Sequence, residues 1–173
     1  MELIEGLKTR RSIRSYQKKE VPDDIITALL EIVRWAPSAS NNQPWQFIVI
    51  KDKERKASLR GGLRDVIPVS KHIMEAPVVL VAWYTPSRLL SRFQISDVSN
   101  GITYLLLAAH AHGLGTCWIG WFSEDRVKKV TNIPKNGKVV ALITLGYPEE
   151  VPEPKKRKSV EEIAYRETCD SKW

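Results

Sequence analysis

Arg10, Arg11, Ser12 and Arg14 crowd one short stretch near the start of the chain. If the backbone is extended there, Arg10, Ser12 and Arg14 face one way, and Arg11 and Ile13 face the other. Two guanidinium forks and a hydroxyl on one side have the chemistry of an anion clamp, because arginine offers paired donors matched to phosphate oxygens. The competing reading is a solvated basic patch at a helix end, where cations oppose the negative end of the dipole.

A second polar stretch is Pro37-Ser38-Ala39-Ser40-Asn41-Asn42-Gln43-Pro44-Trp45. The amides of Asn41, Asn42 and Gln43 each carry donors and an acceptor, which suits the alternating N–H and C=O edge of a planar heterocycle. Serine, asparagine and proline are also simply what turns are made from. A third stretch, Gly113-Leu114-Gly115-Thr116-Cys117-Trp118-Ile119-Gly120, reads as a loop whose glycines admit close approach to the backbone. It follows a helix and leads away from one, so it is not the dinucleotide fingerprint. Its plainer reading is a helix cap at Gly113 followed by a turn. Together the three stretches describe a site for a phosphorylated aromatic cofactor.

The remaining reactive side chains offer less. His110 and His112 sit on one predicted helix with their rings pointing apart, and His72 precedes an apolar strand, so all three read as structural and no metal site is expected. Cys117 has no obvious basic partner and reads as small buried filler. Trp118 and Trp121 could stack on a substrate, although core packing is the default for tryptophan.

These residues need elements to hold them. Residues 2–9 and 22–35 read as helices. The second begins with Pro22, Asp23 and Asp24, and carries Ile26, Leu29, Leu30 and Val33 at helical spacing. Segments 45–51, 77–84 and 138–146 are nearly continuous apolar runs and read as strands of a sheet covered on both faces. Segment 97–112 is the most apolar helix, and such a helix is normally buried; burial by a second subunit is one explanation. Shorter helices are predicted over 123–131 and 159–166. From residue 149 onward, Pro152 and Pro154 keep the chain extended as an arm that lies on its own domain or wraps a partner. Helices and strands mix without clean alternation, so the expected class is α+β. One domain spans 1–173, with 149–173 as the arm.

Composition limits the alternatives. The chain has 173 residues, 43% of them hydrophobic and 27% charged, as in an ordinary globular domain. No apolar run approaches the ~20 residues of a membrane-spanning helix. Acidic residues near Met1 and the absence of a basic-then-apolar start argue against a secretory signal. Two distant cysteines, Cys117 and Cys169, point to a reducing cytoplasm. The net charge of +7 falls in two clusters, one of them interleaved with acids, which argues against a nucleic-acid surface.

The motifs RRSxR, PSxxNxQPW and GLGTxxxG, in this order and at these spacings, resemble the FMN-dependent nitroreductase family over nearly the whole chain. The resemblance implies an intertwined α+β homodimer, with a central, mostly antiparallel sheet flanked by helices and C-terminal arms exchanged between subunits. It implies FMN held at the interface. Arg10, Ser12 and Arg14 would meet the phosphate and ribityl end, with Arg11 near the ring. Pro37, Ser38, Ala39, Asn41 and Gln43 would come from the second subunit. Trp118, Ile119 and the Gly120 N–H would face the isoalloxazine, and Lys155 and Arg157 would close over the phosphate. Arg60, Arg64 and Lys71 are alternatives for the residue meeting the pyrimidine. No catalytic side chain is demanded, since the flavin would carry hydride from NAD(P)H to a nitroaromatic, quinone or similar acceptor in ping-pong fashion. A flavin carrier without rapid NAD(P)H turnover is the alternative. Ring-cleaving and reductive dehalogenating relatives share the fold, but their longer lids are not evident in this chain.

Overall fold

The computed structural model describes residues 2–60 and 67–173. Its elements follow in chain order as α1 (Leu3–Thr9), α2 (Asp23–Val33), β1 (Gln46–Ile50), α3 (Lys53–Arg60), α4 (Ile67–Glu75), β2 (Val78–Tyr84), α5 (Ser91–Ala111), β3 (Gly115–Ile119), α6 (Glu124–Thr131) and β4 (Lys138–Gly146). The four strands form one antiparallel sheet in the order β1-β2-β4-β3. This is the α+β class the sequence predicts.

The two central strands explain the layering. In β2, Val78, Leu80 and Ala82 face one side, while Val79 and Val81 face the other, as the two-residue period of a strand requires. The first side packs on α2 and α5 through Leu29, Val33, Ile102 and Leu105. The second packs on α3, α4 and α6 through Leu59, Ile73 and Val127. The runs of β2 and β4 are therefore continuous because both faces of the sheet are covered there, whereas the edge strand β1 buries only Ile50, contrary to the expectation for 45–51.

Several boundaries differ from the expectation, each for a physical reason. The loop after the central helix is only three residues long, His112 to Leu114, and Gly115–Ile119 is the edge strand β3, paired to β4 from Gly115↔Gly146 to Ile119↔Leu142. Thr116, Cys117, Trp118 and Ile119 suit a pleated surface, and the flanking glycines obscured that. Gly113 does cap the helix, with φ +73°. Helix α5 starts at Ser91, ahead of residue 97, because its first turns carry polar residues that are nonetheless buried. Gln94 is one: it donates to the Thr85 carbonyl and accepts from the Ser87 N–H. Most of the apolar surface of α5 is covered within this chain, so the all-apolar run does not itself require a second subunit. Pro22 caps α2 from outside its first turn. Helices α3 and α4 were not foreseen, and 159–166 contains only a short turn at Val160–Glu162.

Candidate functional site

The arginine segment is fixed by its neighbour strand. Ser12 bridges Thr116 in parallel register, and the Ile13 N–H donates to the Thr116 carbonyl at 2.8 Å. Ile13 is buried against Gly115, where an added Cβ would lie 2.5 Å from the Ile13 side chain. Only glycine allows the segment this close to β3. The backbone continues along β4: Gln17 donates to the Tyr147 carbonyl at 3.0 Å, and the Tyr16 hydroxyl donates to the Ile13 carbonyl at 2.7 Å.

Ile13 points inward, and the charges of Arg10 and Arg14 both reach Cys117. Burial pushes the Cys117 thiol up, and Arg14 and Arg10 only partly offset it, so the group stays a thiol at neutral pH. The Arg10 guanidinium is held below its ordinary value by burial first, then by repulsion from Arg157 and Arg11. Arg157, on the extended C-terminal segment, therefore stands in electrostatic range of Arg10. None of these arginines takes part in the ion pairs formed among the described residues. Like charges gathered without a carboxylate are costly, and a bound dianion would relieve them.

Arg11 acts on Arg10 through its charge while its guanidinium is held by backbone carbonyls. Its Nη1 donates to the carbonyls of Lys8 at 2.8 Å and Arg10 at 2.9 Å, closing the C-terminal end of α1. Lys155 is exposed, as is the whole stretch around it. Arg60 ends α3 in the open, Lys71 pairs with Glu75 at 3.4 Å, and Arg64 lies outside the described residues.

The second stretch is anchored to α5. The Ala39 N–H donates to Asp97 Oδ1 at 3.1 Å, and Asn100 donates to the Pro37 carbonyl at 3.2 Å. Within the loop, the Gln43 N–H donates to Ser38 Oγ at 3.0 Å, and Gln43 Nε2 donates to Asn41 Oδ1 at 3.1 Å. Ser40, Asn41 and Gln43 all adopt left-handed backbone, with φ of 52°, 53° and 47°. Three non-glycine residues in that region store strain that anchors such as Asp97 must hold. Asp97 is the anchor of this loop that sequence reasoning missed. It lies in a helix judged by its apolar run, and no signal marked it. It is 4% exposed, and its Oδ2 has no hydrogen-bond partner.

The two polar stretches sit at opposite ends of α5. The loop meets it at Asp97 and Asn100, whereas the arginine segment meets it at His110, which hydrogen-bonds to Thr9 at 2.9 Å. At a rise of about 1.5 Å per residue, Asp97 and His110 are separated by roughly 20 Å along the helix. One chain does not bring them together. The third stretch lies with the arginines: Trp118 is half-buried, Ile119 is buried, and Gly120 is exposed beyond the last paired residue. A Cβ on Gly120 would meet nothing nearer than Trp118 Nε1 at 3.9 Å, so its backbone is open to a flat ligand.

An antiparallel sheet flanked by helices on both faces, with arginine charge and an open glycine at its edge, defines an α+β class of protein. The comparisons give the class its family. The Nitroreductase family matches residues 7–71 and 68–147. A protein of Methanothermobacter thermautotrophicus, provisionally named an NADH dehydrogenase/NAD(P)H nitroreductase, is 36% identical over 88% of this chain and 80% of its own length. An iodotyrosine deiodinase of Thermotoga neapolitana is 27% identical, covering 88% of this chain and 91% of its own. The solved structure of an FMN-dependent nitroreductase from Clostridium difficile superimposes with a TM-score of 0.76 at 27% identity, over 95% of this chain and 96% of that one. The chain belongs to the Nitroreductase family.

Proposed function

We propose that this protein is a homodimeric, FMN-dependent NAD(P)H oxidoreductase that reduces nitroaromatic, quinone or similar acceptors. The observation that carries the reading is the positive charge beside β3, where Arg157 and Arg11 act on Arg10, Arg10 and Arg14 both act on Cys117, and none of the four arginines joins an ion pair among the described residues. A phosphate dianion is the natural occupant of such a cluster. In this reading Ser12 adds a hydroxyl, Arg11 and Lys155 add charge nearby, and Trp118, Ile119 and Gly120 present backbone to the ring. Bound FMN supplies the two-electron chemistry. The chain supplies position and field: guanidinium groups hold the phosphate, and the N–H of Gly120 is free to meet a ring nitrogen. An exposed glycine leaves one face open, so donor and acceptor would use it in turn, giving ping-pong kinetics.

The roughly 20 Å between the two polar stretches supports assembly across two chains. Pro37, Ser38, Ala39, Asn41 and Gln43 of one copy would complete the site of the other, with the C-terminal segments exchanged. Helix α1 fits this, since it buries nothing and exposes Leu3 by 72%, Ile4 by 60% and Leu7 by 50%. Two free cysteines suit a reducing cytoplasm.

The test is the visible spectrum after incubation with FMN and desalting, followed by anaerobic NADH and then NADPH. Retained flavin bleached within seconds is the expected result. Retained flavin that neither donor reduces would make the protein a flavin carrier, and no retained flavin would overturn the reading.

A further inference from the structure

A cavity of about 750 Å³ opens between the segment after Tyr16, the start of α3 and the beginning of β2. None of Arg10, Arg14, Cys117 or Arg157 lines it. Five lysines do: Lys18, Lys19, Lys51, Lys53 and Lys56. Three carboxylates share the wall, Glu20, Glu75 and Glu149, leaving two positive charges in excess. Pairing beyond the wall does not change that excess, because Asp23 outside the cavity takes Lys51 while Lys71 outside it takes Glu75.

Lys56 is the unusual member. It is 5% exposed, and its ammonium donates to the Ala76 carbonyl at 2.7 Å and the Pro77 carbonyl at 3.4 Å. It joins none of the ion pairs formed among the described residues. A buried ammonium is ordinarily matched by an anion, since two carbonyls satisfy its hydrogen bonds but not its charge. Burial, and then repulsion from Lys53, hold it below the ordinary lysine value, with Asp52 opposing. Lys19 lies 3.9 Å over the Tyr147 ring, which leaves its charge uncancelled. Val21, Met74, Ala76, Pro77 and Val78 form an apolar part of the wall, beside Tyr16 and Gln17.

We infer that this cavity is a second ligand site, distinct from the flavin site, for a phosphate monoester with an apolar body. A phosphate monoester carries close to two negative charges near neutral pH, which matches the excess of two. Lysines bind phosphate as point charges, and the cavity falls within the roughly 300–1,000 Å³ of small-ligand sites. The apolar wall accommodates the body, while Lys18 and Lys53 at the rim meet the phosphate.

The experiment is calorimetric titration of FMN-saturated protein with phenyl phosphate, with inorganic phosphate as the comparison. Saturation with FMN removes the Arg10 cluster as a competing anion site. Binding of phenyl phosphate with a Kd below about 1 mM is expected, with inorganic phosphate weaker. The double variant Lys18→Ala/Lys53→Ala should weaken it about tenfold or more, while melting temperature and FMN retention stay unchanged, because both side chains are exposed. No binding at about 10 mM, binding indifferent to the double variant, or phenyl phosphate no tighter than inorganic phosphate would each overturn the inference. If the protein retains no flavin, the proposed function fails. The same titration on flavin-free protein then still decides the cavity through the double variant.

Discussion

At the scale of single residues, two glycines in one strand region carry opposite demands. Gly115 must lack a side chain because Ile13 occupies that space, whereas Gly120 faces open surroundings. Gly115→Ala should cost about 1–3 kcal/mol, since the segment holding the arginines has to move, and it should weaken FMN with it. Gly120→Ala should leave stability within about 0.5 kcal/mol. Thermal melts with FMN titrations separate the two, and equal behaviour would mean that close approach of Ile13 is not what fixes the segment. Arg14 allows a sharper test. Arg14→Ala should weaken FMN roughly tenfold or more but leave riboflavin affinity nearly unchanged, because a charge-assisted hydrogen bond to phosphate contributes about 1.5–3 kcal/mol. An equal loss for both flavins would move Arg14 from the phosphate to the ring.

At the scale of elements, α5 organises both halves of the site. Its first half holds the strained loop through Asp97, and its last turn meets α1 through His110. Asp97→Ala removes an acceptor from the Ala39 N–H and should cost about 1–3 kcal/mol, while Asp97→Asn keeps an acceptor and should recover part of that. Urea unfolding of the two variants measures it, and identical losses would show that the carboxylate charge is what matters. His110 is held below its ordinary value by burial, then by Arg10 and Arg11. His72 on α4 is lowered by burial, then by Arg14, against a smaller opposing effect of Glu75. With folded values below unfolded ones, the unfolded chain binds more protons, so this stability is complete above about pH 6.5 and is lost as pH falls through the folded values. Melting temperature should therefore drop between about pH 7 and pH 5, and His110→Asn should flatten part of that slope. A slope unaltered by the substitution would assign the loss to other groups.

At the scale of the whole molecule, exposed apolar side chains gather on elements that carry no core. Leu3, Ile4 and Leu7 cover α1, and Val160 and Ile163 line the C-terminal segment. Large apolar residues on otherwise polar elements mark surfaces meant for a partner. Light scattering should report a dimer. Leu3→Glu/Leu7→Glu should shift it to monomer and lose FMN in parallel, since the loop of one copy is separated from the arginines of its own chain by roughly 20 Å along α5. A monomer that keeps FMN at full affinity would place the complete site within one chain.

Much of this was legible without coordinates. The apolar runs of 77–84 and 138–146 determined the central strands, since residues covered on both faces leave a continuous signature. Tertiary structure decided what local pattern could not. Glycines at both ends disguised Gly115–Ile119 as a loop, because strand identity came from pairing with β4 and not from local preference. Polar residues at the start of α5 hid six residues of helix, since Gln94 is buried by hydrogen bonds to the preceding loop at Thr85 and Ser87 rather than by hydrophobicity. The lysine cavity draws on segments spread from Tyr16 to Glu149, and only folding puts those charges on one wall.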